Sequence, residues 1–171
     1  MSRTLVLGLG NSERRDDGVG LAVAARVAAS APPGVLVRAV RSPLGMLDIW
    51  EPEDTVVVVD AVHGGQPGSL HVLEVTRDPL PPQLGSGSTH AFGIAAVVEL
   101  ARTLHRLPRR VVLVGVTVER VDDGAELSPV VASAVDEASD VVLRAAGITE
   151  PGARPLDRRA LPEPAAARQE G

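Results

Sequence analysis

Uninterrupted apolar runs along the chain predict the strands of a sheet. Residues 4–7 and 55–59 consist of leucine, valine and threonine, which is typical of strands covered on both faces. The second of these runs is predicted to end at Asp60. The strand predicted at 69–76 follows a glycine-rich turn too short for a helical crossover, so it is free to run antiparallel to its neighbours. Two further strands are predicted at residues 35–40 and 110–118.

Apolar positions spaced three or four residues apart predict the helices. The first helix begins at about Gly18, where valines recur at every fourth position, and the Pro-Pro-Gly sequence at 32–34 ends it. A short helix is predicted at residues 44–50, and a longer one at 90–105 has an apolar face of Ile, Val, Ala and Leu.

Capping residues mark the ends of two helices. Ser88 or Thr89 is the candidate N-cap of the helix at 90–105. Ser128 and the proline that follows it predict the start of the last helix, since serine is a favoured N-cap and proline fits the first helical position. Gly147 ends this helix.

The alternation of strands and helices predicts one domain. We expect an α/β fold, a three-layer α/β/α sandwich around a mostly parallel central sheet of about five strands, over residues 1–149. Residues 150–171 contain several prolines and arginines with almost no large apolar side chains, which predicts a disordered C-terminal tail.

Composition narrows the chemistry. The 171 residues include no cysteine, which excludes disulfides, zinc-thiolate sites and a cysteine nucleophile. All 17 basic residues are arginines, so no lysine is present for Schiff-base chemistry. The net charge of -5 disfavours nucleic acid as a partner, and no apolar run is long enough to span a membrane. We expect a cytoplasmic monomer.

Three polar groups fall where parallel strands end. Asp16 and Asp17 follow the turn after the first strand, Asp60 ends the third, and Thr89-His90 lies just before a helix. Ligands of open parallel sheets bind outside the carboxyl ends of the strands. Two carboxylates and an imidazole form an oxygen and nitrogen donor set that suits a divalent transition metal.

Each of these groups also has a structural explanation when taken alone. The acidic pair could favour the positive end of a helix, the aspartate at the strand end could form a turn, and the histidine could simply start its helix. A dinucleotide fingerprint is disfavoured, because the third glycine expected after Gly8 and Gly10 is replaced by Glu13, whose carboxylate would repel a pyrophosphate.

The remaining histidines are weaker candidates. His63 lies three residues past the aspartate of the third strand, where it could face substrate or support a ligand. His71 in a strand and His105 on a helix suit surface or packing roles. The sequence has neither the Gly-x-Ser-x-Gly elbow nor the His-Glu-x-x-His helix of common hydrolases.

Together these segments resemble the hydrogenase maturation proteases, also called hydrogenase processing endopeptidases. The resemblance covers about residues 4–146 in the expected order, and its specificity comes from the whole set. The matching segments are Leu5-Val6-Leu7-Gly8-Leu9-Gly10-Asn11, Asp16-Asp17-Gly18-Val19-Gly20, Val57-Val58-Val59-Asp60-Ala61-Val62, Pro67-Gly68, Ser88-Thr89-His90, Gly115-Val116 and Leu127-Ser128-Pro129.

The resemblance implies an endopeptidase of the aspartic type that cuts a C-terminal extension from the nickel-loaded precursor of a hydrogenase large subunit. Asp17, Asp60 and His90 are then the metal-binding and catalytic residues, with nickel brought by the substrate and another divalent ion able to bind the isolated protein. Asp16 also fits chemically, but Asp17 aligns with the family's ligand when counted from Asn11.

One departure and three alternatives accompany the resemblance. The charged stretch at residues 12–15 occupies a loop that is often more apolar in the family, which bears on substrate fit. The alternatives are a nickel-binding hydrogenase-assembly chaperone that does not cut, a spore-type protease and a nucleoside phosphorylase-like enzyme, the last two on a related α/β scaffold.

Overall fold

A computed structural model describes residues 2–77 and 89–148, with the side chains of residues 89–92 outside the described part. The predicted tail at 150–171, the domain boundary at 149 and the candidate cap Ser88 also lie outside the described residues. The described strands are β1 (Thr4–Leu9), β2 (Val35–Val40), β3 (Thr55–Val62), β4 (Leu70–Glu74) and β5 (Arg110–Thr117). The described helices are α1 (Val19–Ser30), α2 (Thr89–Thr103) and α3 (Pro129–Ala145), with 3-10 turns at Arg15–Gly18 and Pro43–Asp48.

The central sheet is mostly parallel, as predicted. Its described strands run in the order β2-β1-β3-β5-β4, and β4 alone among them is antiparallel to its neighbour. Successive residues of each strand face opposite sides of the sheet. One side packs on α2 and the 3-10 turn at Pro43–Asp48, and the other packs on α1 and α3. The prediction of a three-layer α/β/α domain is confirmed.

The ends of several elements differ from those predicted. β3 does not end at Asp60, because Asp60 and the two residues after it continue to pair with β5. The short helix predicted at 44–50 is present as a 3-10 turn at Pro43–Asp48. His105 lies beyond α2 in a left-handed conformation with φ of 56°, where its amide donates to the Arg102 carbonyl and closes the helix.

The start of α1 sits unusually close to the sheet. A Cβ atom on Gly20 would lie 2.1 Å from the Leu9 carbonyl oxygen and 2.5 Å from the Val59 carbonyl oxygen. Only glycine permits this approach, because both obstacles are backbone atoms of paired strands. The first turn of α1 is therefore pressed against the carboxyl ends of β1 and β3. Among the described residues, no helix is long and apolar enough to span a bilayer.

Candidate active site

The 3-10 turn at Arg15–Gly18 holds Asp17 at the carboxyl end of β1. The chain leaves β1 through Gly10, whose φ of 147° favours glycine. The Asn11 amide then donates to the Asp17 carbonyl at 3.2 Å, and the Asp17 amide donates to the Arg14 carbonyl at 3.0 Å. The Asp17 side chain is half-buried in a turn that contacts β3. Backbone hydrogen bonds therefore hold the turn that carries Asp17 beside β3, the next strand of the sheet.

Asp60 lies two residues before the end of β3 and is almost fully buried, with 1% of its surface exposed. One carboxylate oxygen accepts a hydrogen bond from the Ala61 amide at 2.8 Å. Val58 and Val62 belong to the core on the α2 side, so alternation along the strand puts Asp60 on that side as well. A buried aspartate in a strand of valines is costly unless its charge has a partner.

The start of α2 lies at the same edge of the sheet. Gly93 packs against Pro43, which follows the carboxyl end of β2, and α2 runs from there toward the amino end of β5. His90 is the second residue of this helix. Its backbone is therefore placed on the side of the sheet that Asp60 faces, whereas its side chain lies outside the described part of the chain.

Asp16 has a different environment from its neighbour. Its side chain is fully buried, and its oxygens accept hydrogen bonds from the amides of Glu119, Arg120 and Ser128 at 3.0, 2.8 and 2.6 Å. The Ser128 hydroxyl donates a fourth at 2.9 Å. Burial would raise the pKa of Asp16, but these hydrogen bonds outweigh burial and hold the pKa below its usual value. Asp16 is an ionised anchor between the turn and the start of α3.

Two other histidines also lie near this edge. His63 is exposed in the loop that follows β3. His71 is buried, and its Nε2 atom lies 2.9 Å from the Thr117 hydroxyl. Gly115 pairs with Asp60 on one side and His71 on the other, so the last two residues share one face of the sheet, two strands apart. Only a surface or packing role is expected for His71 from the sequence, although alternation along its strand could have placed it on this face.

Two residues with carboxylate side chains and the backbone of a histidine thus lie on neighbouring elements at the carboxyl edge of the sheet. Among the described side chains, no group of three acidic, histidine or cysteine residues is placed to hold a metal ion. The predicted third ligand, His90, is one whose side chain is not described. The donor set of Asp17, Asp60 and His90 thus stays a prediction, and it is chemically suited to a borderline divalent cation.

Comparison with known proteins gives a consistent result. A family model described as "Hydrogenase maturation protease" matches residues 41–145. The hydrogenase expression/formation protein HupD of Rhodobacter capsulatus is 34% identical over 141 residues, which span 78% of this chain and 66% of HupD. The hydrogenase 2 maturation protease of Escherichia coli is 28% identical over 169 residues, which span 93% of this chain and 98% of that protein.

A solved structure agrees with these relatives. The hydrogenase maturating endopeptidase HybD from E. coli superposes with a TM-score of 0.72 at 25% identity, covering 84% of this chain and 91% of HybD. The similarity therefore includes the arrangement of the sheet and its helices as well as the sequence.

Proposed function

Because the chain belongs to the hydrogenase maturation protease family, a family of peptidases, we propose that it removes the C-terminal extension of a nickel-loaded hydrogenase large-subunit precursor. We further propose that it acts as a cytoplasmic monomer and recognises nickel that the substrate carries. The observation that supports this most is the meeting of the Asp17 turn, Asp60 and the start of α2 at one edge of the sheet.

The hydrogen bonds of Asp16 favour Asp17 as the acidic residue that meets substrate. A carboxylate offers about four acceptor positions, and four donors already surround Asp16. Because Asp16 is also fully buried, a metal ion could reach its carboxylate only by disturbing the donors that enclose it. Asp17 is the next residue of the same turn, and its side chain is half-buried rather than fully enclosed.

Asp60 and His90 complete the proposed donor set. Asp60 supplies a buried carboxylate at the edge of the sheet, and carboxylate oxygens are ligands that suit a divalent transition metal. His90 is the second residue of α2, and a neutral imidazole is a common ligand of divalent transition metals.

In this account the nickel of the substrate directs the precursor to the site. The two carboxylates and the imidazole occupy nickel positions that the unprocessed precursor leaves open, and this fixes the nearby peptide bond against the carboxyl edge of the sheet. Holding the bond and a water molecule in a fixed arrangement is itself a large contribution to rate. A precursor without nickel lacks the group that these residues recognise.

A matched pair of histidine variants tests the proposal. His90→Asn should abolish processing of nickel-loaded precursor, as judged from the mass of its C-terminus, because the amide is a poor metal ligand. His105→Asn is the control, since His105 is exposed beyond the far end of α2 and asparagine tolerates its left-handed backbone. Full activity of the His90 variant would contradict the proposal, and nickel binding without cleavage by the wild type would indicate the chaperone instead.

A further inference from the structure

Asp16 joins three segments that are far apart in sequence. Its own segment is the turn at Arg15–Gly18, and its four donors come from Glu119 and Arg120 just past β5 and from Ser128 at the start of α3. Ser128 occupies the N-cap position of α3 and makes no side-chain capping bond, and both its amide and its hydroxyl donate to Asp16. The carboxylate therefore acts as the acceptor at the start of α3.

The same turn is held by backbone contacts to the loop after β5. The Arg15 amide donates to the Gly124 carbonyl at 2.7 Å, and the Gly124 amide donates to the Glu13 carbonyl at 2.9 Å. The Asp16 amide donates to the Arg120 carbonyl at 2.9 Å. Arg15 has a φ of 43°, a left-handed conformation that a non-glycine residue keeps only when its surroundings impose it. Contacts with the loop after β5 thus hold the turn in addition to its own hydrogen bonds.

From these contacts we propose that Asp16 is a positioning residue, which fixes the turn and so determines where the adjacent Asp17 carboxylate stands relative to Asp60. The relation to substrate rests on the proposed function, whereas the fixing of the turn does not. Asp16 touches neither substrate nor nickel. It acts by holding the α3 start and the loop after β5 against the turn.

The matched variants are Asp16→Asn and Asp54→Asn. Asp54 is equally buried and also accepts four hydrogen bonds, three from Arg3 and one from the Glu51 amide, but it lies at the amino end of the sheet. In each variant one carboxylate oxygen becomes an NH₂ group that faces N–H donors, so both should lower the melting temperature. Only Asp16→Asn should release the turn.

Amide hydrogen exchange of the full chain measures, without substrate, how firmly Asp16 holds the segments that pack against the turn. In Asp16→Asn we expect the amides of Glu119, Arg120 and Ser128 to exchange about tenfold faster or more, because one of the two oxygens that accept from them becomes an NH₂ group and the negative charge is lost. In Asp54→Asn these amides should exchange as in the wild type. Unchanged exchange in the first variant, or equal acceleration in both, would overturn the proposal.

Cleavage then separates positioning from a general loss of stability. At a temperature where both variants are fully folded, kcat with saturating nickel-loaded precursor should fall about tenfold or more in Asp16→Asn and stay within about twofold of the wild type in Asp54→Asn. Equal falls in kcat would overturn the positioning role. If the wild type itself does not cleave, the proposed function fails, and hydrogen exchange alone still decides whether Asp16 fixes the turn.

Discussion

Substitution of Gly20 by alanine tests the close contact between α1 and the sheet. The added methyl carbon would lie 2.1 Å from the Leu9 carbonyl oxygen and 2.5 Å from the Val59 carbonyl oxygen, whereas ordinary contact begins at 3.4 Å. The start of α1 must therefore retreat by roughly 1 Å, since neither strand can yield without breaking its pairing.

The expected cost follows from two opposing effects. Overpacking of this kind costs about 3 kcal/mol at the upper end of its usual range, which fits an obstacle made of backbone. Alanine regains about 1 kcal/mol through its higher helix propensity. The net loss in the free energy of unfolding is then about 2 kcal/mol, which corresponds to roughly 4–8 °C in Tm for a domain of this size.

Urea and thermal denaturation of Gly20→Ala measure this loss, with Gly45→Ala as the control. A Cβ atom on Gly45 would meet its nearest neighbour, a Val40 methyl, at an ordinary 3.5 Å, so that variant should stay within about 0.5 kcal/mol of the wild type. If the two alanine variants are equally stable, the reasoning about the α1 contact is refuted.

Three further outcomes are expected. Asp60→Asn should severely impair processing with little change in Tm, because it keeps the size of the side chain and one acceptor oxygen but loses the charge; near-normal cleavage would count against its role. Burial would raise the pKa of Asp54, but hydrogen bonds from Arg3 and the Glu51 amide outweigh burial and lower the pKa. The stability that the Asp54 carboxylate contributes is thus present above its unfolded pKa of about 3.9 and is lost as pH falls through the lower pKa of the folded state. Denaturation at pH 7 should therefore show the wild type to be more stable than Asp54→Asn, and below pH 3 the free energies of unfolding of the two proteins should converge. Deletion of residues 151–171 should leave both Tm and cleavage intact, and a large loss of either would contradict the single-domain prediction.

The sequence predicted the strands well because their apolar runs are unbroken. β2 matches its predicted range of 35–40 in full, and the composition of β3 correctly indicated a strand buried on both faces. The predicted end of β3 is wrong because a polar residue was expected to end the strand. Backbone hydrogen bonds with β5 form at Asp60 whatever its side chain is, so the strand continues. Gly147, with a φ of 80°, ends the last helix as predicted.

The site was less accessible to sequence reasoning because its contacts are long-range. No local sequence pattern reveals that Asp16 contacts Ser128, 112 residues away, or that the hydroxyl of this predicted cap donates a hydrogen bond to the Asp16 carboxylate. His71 could have been found, since the spacing of its strand puts it on the face of Asp60. The pairing of Asp17 with His90 remains a prediction.

The most direct test of the account is the mass of the precursor's C-terminus after incubation with the full-length protein, with and without nickel in the precursor. The account predicts loss of a single C-terminal peptide from the nickel-loaded precursor and an unchanged mass for the nickel-free one. Efficient cleavage of nickel-free precursor would contradict recognition of substrate-borne nickel, and an unchanged mass in both samples would contradict the proposed cleavage itself.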